Sequence, residues 1–210
     1  MTLIKICGIT SLEDALIAVD AGADALGFNF YRPSSRYIEP HAAREIIEEL
    51  PDTILPVGVF VNESSEGVQA IAHDAGLRAL QLHGDESPGY CLELNDWFVI
   101  KAFAVKEGFD ETATTPYQVN AIMLDASHNK LKGGTGQVID WSTARRIRDQ
   151  GKPMFLAGGL SPENVAAAIR KVEPYAVDSC SALESSPGKK DHSRVSAFVK
   201  VVRSLNSQRI

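Results

Sequence analysis

The stretch KICGIT, Lys5 to Thr10, decides how the chain is read. Leu3, Ile4 and Ile6 make a short apolar run suited to a buried strand, which stops at Cys7 and Gly8, and the helix-start residues Thr10 and Ser11 follow at once. A strand handing over directly to a helix is the unit of alternating α/β folds. In a barrel of such units the reactive groups come from the carboxyl ends of the strands, which is where Cys7 falls. The competing reading is that Cys7 is a small buried apolar residue, as free cysteines usually are.

The same unit recurs outward from this point. Ser11 to Ala21 places Leu12, Ala15, Leu16 and Val19 on one helical face, with Ser11 and Asp14 as a capping pair and Gly22 as the stop. Strands are expected at Ala25 to Phe30, Leu55 to Val61, Ala79 to Leu82, Phe98 to Phe103, Ala121 to Leu124, Met154 to Leu156 and Tyr175 to Val177. Helices are expected at Pro40 to Leu50, Ser65 to Ala75, Pro88 to Leu94 and Asp140 to Gln150, then after a Ser161 cap with Pro162 in the first turn. A closing helix buries Val195, Phe198, Val199 and Val202. Asp110 to Asn120 contains Pro116 and little periodicity, so the fifth helix is short or irregular. The expectation is one domain over residues 1–210, a (β/α)8 barrel of the TIM type, with an open doubly wound sheet as the alternative. Loops after the second, sixth and eighth strands are long and polar, whereas Gly22-Ala23-Asp24 is tight, so function is expected on the strands' carboxyl face.

A chain of 210 residues can bury a full core, and a net charge of -6 argues against a nucleic-acid partner, which would normally show a basic stripe. The N-terminal residues lack a secretory pattern and no run approaches membrane-spanning length, so a cytoplasmic protein without a membrane partner is expected. The three cysteines, Cys7, Cys91 and Cys180, have no zinc or dithiol spacing and are expected reduced. No histidine pair has metalloprotease spacing, so no metal is expected.

Several residues fall on the functional face. AGGL, Ala157 to Leu160, and SALESSPGKKD, Ser181 to Asp191, follow the seventh and eighth strands, where barrels often hold phosphate on backbone N–H groups. Glycines at 158 and 159 allow close approach to an anion, and a phosphorylated small molecule is the implied substrate. Asp125 ends the sixth strand as Cys7 ends the first. Across a small ligand, a carboxyl group and a thiolate make an acid and base pair, although an aspartate here also suits a simple turn cap. Arg36 is either a solvated charge or a bidentate clamp for a substrate carboxylate. Gly133 to Gly136 is either a loose connection or a lid. His83, at the end of strand four, makes either a structural hydrogen bond or a substrate contact.

Taken together, KICGIT, GFNFYRPSSRYI, VGVFVN, LQLHGDE, KAF, LDA, GGTG, LAGGLSPENV and VDSCSALESSPGKKD closely resemble the phosphoribosylanthranilate isomerase family of tryptophan biosynthesis, in family order and across nearly the whole chain. The resemblance implies an Amadori rearrangement of N-(5-phosphoribosyl)anthranilate, with Cys7 as general base and Asp125 as general acid. It further implies Arg36 on the anthranilate carboxylate and Asp178 on the sugar hydroxyls, with backbone groups of Gly158, Gly159, Ser181 and Ala182 on the phosphate. No cofactor is needed, because the substrate nitrogen serves as the electron sink. The oligomeric state is left between monomer and homodimer.

One departure stands out. Ser179, Cys180 and Ala182 occupy positions where many members of that family carry valine, a small polar residue and glycine, and Ala182 would be strained if that backbone required a positive φ. The histidine-pathway isomerase of a two-phosphate substrate is disfavoured. Cys7 replaces its first aspartate, and Val57 to Glu63 lacks a second phosphate-binding glycine pair. A catalytically silent barrel that senses a phosphosugar is the rival of another class, and both proton-transfer residues argue against it.

Overall fold

Period-two alternation sorts each strand into an outer row packed on helices and an inner row facing the barrel axis. In β1 (Leu3–Cys7), Ile4 and Ile6 join the large outer core with Leu26, Phe28, Leu80, Leu82 and Leu124, whereas Leu3 packs in the inner core with Ala25, Val57, Ile100, Met123 and Phe155. The computed structural model describes residues 1–106, 108–125 and 141–207.

The strands β1, β2 (Ala25–Asn29), β3 (Leu55–Phe60), β4 (Ala79–Leu82), β5 (Phe98–Ala104), β6 (Ala121–Asp125), β7 (Met154–Leu156) and β8 (Ala176–Ser179) pair in sequence order. Every pairing is parallel, and β8 returns to β1 with Ile6 opposite Ser179, which closes the barrel. This decides against the open sheet. The helices are α1 (Leu12–Ala21), α2 (Pro40–Glu48), α3 (Ser65–Ala75), α4 (Pro88–Leu92), α5 (Trp141–Arg148), α6 (Val165–Val172) and α7 (His192–Ser207). A 3-10 turn, Glu111–Thr114, stands where a fifth helix would complete the ring, as the weak periodicity and Pro116 predicted.

Two local expectations fail. In α1 the buried face is Ala15 and Ala18, while Leu12 and Leu16 are each 39% exposed. The small alanines let the helix lie close to the sheet, and the larger leucines fall at its flanks. Ser11 accepts from Asp14 N at 3.2 Å, but the Asp14 carboxylate does not reach back to complete the box. It accepts instead from Lys190 N at 3.0 Å and pairs with His192 Nε2 at 2.9 Å.

After β7 the helix begins at Val165, not at a Ser161 cap. Asn164 Oδ1 accepts from Ser161 N at 2.8 Å and its Nδ2 donates to Gly159 O at 2.9 Å, so SPEN is a side-chain-closed turn. A second unforeseen element follows β8: a 3-10 turn, Ser181–Leu183, then a small ribbon of β9 (Glu184–Ser186) and β10 (Lys189–Lys190). The Asp14 contacts and Thr10 Oγ1 donating to Gly188 O at 2.5 Å pin this ribbon over the start of α1.

Candidate active site

The inner rows end in polar residues at one rim of the barrel. A cavity of about 510 Å³ there is lined by Cys7, Asn29, Arg36, Gln81, His83, Asp125, the segment 157–160 and the segment 178–182. Cys7, Arg36, His83, Asp125, Gly158, Gly159, Asp178, Ser181 and Ala182, the described residues expected to form the site, all reach this one cavity. The Gly133 to Gly136 stretch lies outside the described residues.

Cys7 is the last residue of β1, and Gly27 is its partner on β2. A Cβ at position 27 would come within 2.7 Å of Cys7 Sγ and 3.1 Å of Lys5 Nζ, so glycine is what leaves room for both groups. Lys5 is wholly buried one inner-row step below Cys7, and its Nζ donates to Asp178 Oδ1 at 2.8 Å.

Three charges in this corner depend on one another. Against the cost of burial, the neighbouring Cys180 thiol brings the Cys7 thiol well below its ordinary range, with Lys5 and Lys190 adding to the shift. Burial works against the Lys5 ammonium, yet Asp178 and Cys7 outweigh it and hold Lys5 protonated. Burial pushes the Asp178 carboxyl up to about 6, with Lys5 opposing.

Across the cavity, Asp125 Oδ2 lies 3.3 Å from His83 Nε2, and His83 Nδ1 lies 2.9 Å from Gln81 Nε2. His83 therefore meets the carboxyl group that ends β6. Gln81 is buried, and its Oε1 has no partner among the described residues.

Arg36 grips Glu184 with two nitrogens, Nε to Oε1 at 3.0 Å and Nη2 to Oε2 at 2.6 Å, while Lys190 Nζ holds Oε1 at 3.1 Å. Its guanidinium reaches the cavity already oriented by this carboxylate.

Gly158 and Gly159 have φ of 88° and 70°, a left-handed pair that strains other residues. Such a pair turns successive N–H groups toward one side, as anion-binding nests do. Ala182 is not among the residues with positive φ; it lies within a 3-10 turn, and its carbonyl accepts from Arg194 Nε at 2.6 Å. The concern over alanine there is thereby removed. Ser179 Oγ donates to Leu160 O at 2.6 Å, tying the loops after β7 and β8 into one wall.

Lys5, Asn29, Gln81 and Glu184 were not singled out from the sequence, and Cys180 was noted there only as a reduced thiol and a departure from the family pattern. The signal for three of them was the period of two, since Lys5, Gln81 and Cys180 each stand two positions from Cys7, His83 and Asp178.

The family model described as N-(5'phosphoribosyl)anthranilate (PRA) isomerase matches residues 4–201. The chain is 50% identical over 206 residues to the N-(5'-phosphoribosyl)anthranilate isomerase of Thermotoga neapolitana, an alignment covering 98% of this chain and 100% of that protein. Among solved structures, phosphoribosyl anthranilate isomerase from Thermotoga maritima superposes with a TM-score of 0.91 at 45% identity, covering 97% of this chain and 100% of that one. A structure of such an isomerase in complex with reduced 1-(o-carboxyphenylamino)-1-deoxyribulose 5-phosphate has a TM-score of 0.87 at 44% identity, with the same coverage.

Proposed function

The chain belongs to the N-(5'-phosphoribosyl)anthranilate isomerase family, and from that premise we propose how its own residues carry the reaction. The activity is the Amadori rearrangement of N-(5'-phosphoribosyl)anthranilate to 1-(2-carboxyphenylamino)-1-deoxyribulose 5-phosphate, a step of tryptophan biosynthesis.

Asp125 is the general acid. It gives a proton to the ribose ring oxygen, the C1–O bond opens, and the nitrogen lone pair forms an iminium at C1, which acidifies the proton on C2. Cys7, as thiolate, removes that proton. The resulting enolamine tautomerises to the ketone. His83 Nε2, 3.3 Å from Asp125 Oδ2 and fixed through Nδ1 by Gln81, positions that carboxyl group at the cavity.

The phosphate is held by backbone N–H groups of Gly158, Gly159, Ser181 and Ala182. Arg36, oriented by Glu184, binds the anthranilate carboxylate through its remaining donors. Asp178 faces the sugar hydroxyls from beside Lys5. The observation that carries this reading is that Cys7, Asp125 and the left-handed glycine pair line one cavity.

The test is turnover of freshly prepared substrate, followed by loss of its fluorescence. Cys7→Ala and Asp125→Asn are each expected to lose at least ~100-fold in kcat, the lower end for removing a general acid or base. A near-normal rate in either variant removes that residue from its role.

A further inference from the structure

Ile6 on β1 is in register with Ser179, the last residue of β8, so Cys7 and Cys180 are the residues that follow this pair at the barrel rim. Adjacent strands run about 4.8 Å apart, inside the Cα separation of roughly 4.4–6.8 Å that a disulfide spans. Both residues line the same cavity. The crowding between them supports this. A Cβ on Gly8, the residue after Cys7, would meet Cys180 Sγ at 2.8 Å.

The setting also favours reaction. Lys5 lies beside Cys7, and Lys190 Nζ is 3.9 Å from Cys180 Sγ, so cations flank both sulfurs. The cavity opens to solvent at the rim. Cys91 lies elsewhere: it is buried in α4 and does not line the cavity.

We propose that Cys7 and Cys180 are a reversible dithiol–disulfide pair, with a peroxide as oxidant, and that closing it silences the enzyme by removing the base. The last clause rests on the role given to Cys7 above. In the first step the Cys7 thiolate attacks one peroxide oxygen; an S–O bond forms, the O–O bond breaks, and the departing hydroxide takes a proton to become water. Cys180 sulfur then attacks Cys7 sulfur. The S–S bond forms, the S–O bond breaks, and the second hydroxide takes the Cys180 proton. Two thiols lose two electrons, one peroxide gains them, and two waters leave. The neighbouring thiol traps the sulfenic acid before it is carried to the irreversible sulfinic state.

The experiment treats the full-length protein, its Cys180→Ser variant and its Cys91→Ser variant with hydrogen peroxide, each referred to its own untreated rate. Peptide mapping without reductant reads the cross-link, and dithiothreitol tests recovery. Wild type and Cys91→Ser are expected to form a Cys7–Cys180 cross-link, lose turnover in step with it, and regain turnover with dithiothreitol. Cys180→Ser is expected to form none and to lose turnover beyond recovery, with sulfinic Cys7 in the map. Absence of the cross-link in wild type, or full recovery of Cys180→Ser by dithiothreitol, overturns the pair. A cross-linked protein that still turns over overturns the silencing and the role of Cys7 as base, while the disulfide itself stands.

Discussion

Two buried lysine–carboxylate pairs, one from the inner row of β1 and one from the outer row of β5, are built to different ends. Lys101 Nζ donates to Glu86 Oε2 at 3.0 Å and reaches the carbonyls of Gly84 at 2.8 Å, Ala102 at 3.0 Å and Leu82 at 3.3 Å. Glu86 in turn accepts from Asn62 N at 2.9 Å and Gly84 N at 2.9 Å, so each partner is saturated and the loop after β4 is locked to β5. Lys5 has one carboxylate oxygen, Asp178 Oδ1 at 2.8 Å, and its remaining charge is directed at Cys7. A saturated ammonium holds structure, whereas one with donors to spare acts on its neighbour.

The largest effect is expected where saturation is complete. Lys101→Met leaves Glu86 without its cation and three carbonyls without their donor, and breaking a buried pair costs about 3–5 kcal/mol. Urea unfolding followed by circular dichroism should show that loss, while the acid limb of the kcat/KM profile stays in place. A loss under ~1 kcal/mol, or a displaced limb, would put the two lysines in the same class.

This comparison also shows what a sequence discloses. The barrel was legible because eight strand runs, each tied to a turn or helix signal, repeat one pattern; the closing residues of α7 are buried as their spacing predicted. Cys7 and Asp125 were legible because each ends a strand. Lys5 and Lys101 were not, since a lysine inside an apolar strand carries no local mark of its partner. Asp178 is 173 residues from Lys5, and only closure of β8 on β1 brings them together. The Ser161 cap failed for a related reason: Asn164 offered the backbone a tighter alternative three residues on.

Lys5→Met is expected to move the chemistry more than the fold. Asp178 already sits at about 6, so without the ammonium its carboxyl takes a proton and avoids a stranded charge. The stability loss should be smaller than for Lys101→Met. Cys7 loses one of the cations that keep it ionised, so its pKa rises. Because the thiolate is the active form, turnover falls as pH drops through that pKa. The wild-type acid limb should lie below the ordinary thiol range, and the Lys5→Met limb should move up, with roughly a tenfold fall in kcat/KM at neutral pH. The pH dependence of iodoacetamide labelling at Cys7 checks this without substrate. Parallel labelling curves for wild type and variant would sink the idea that Lys5 tunes the thiol.

The smallest effect tests whether a third ion pair, Arg36 with Glu184, belongs with Lys101 or with Lys5. Arg36→Met removes the proposed carboxylate clamp and should raise KM by about tenfold or more, the scale of a hydrogen bond to a charged group. Glu184→Gln is the finer probe. Although burial opposes its charge, hydrogen bonds from Arg36 and Lys190 hold Glu184 below the usual glutamate range, so it is ionised wherever the enzyme works. Glutamine keeps an acceptor but not the charge or the two-oxygen grip, and Arg36 then swings on its stem at a cost of about 1 kcal/mol. If Glu184 acts by orienting Arg36, KM rises roughly fivefold and kcat hardly moves, because the proposed base and acid are Cys7 and Asp125. If it acts as a structural pair, KM is unchanged and the loss appears in urea unfolding instead.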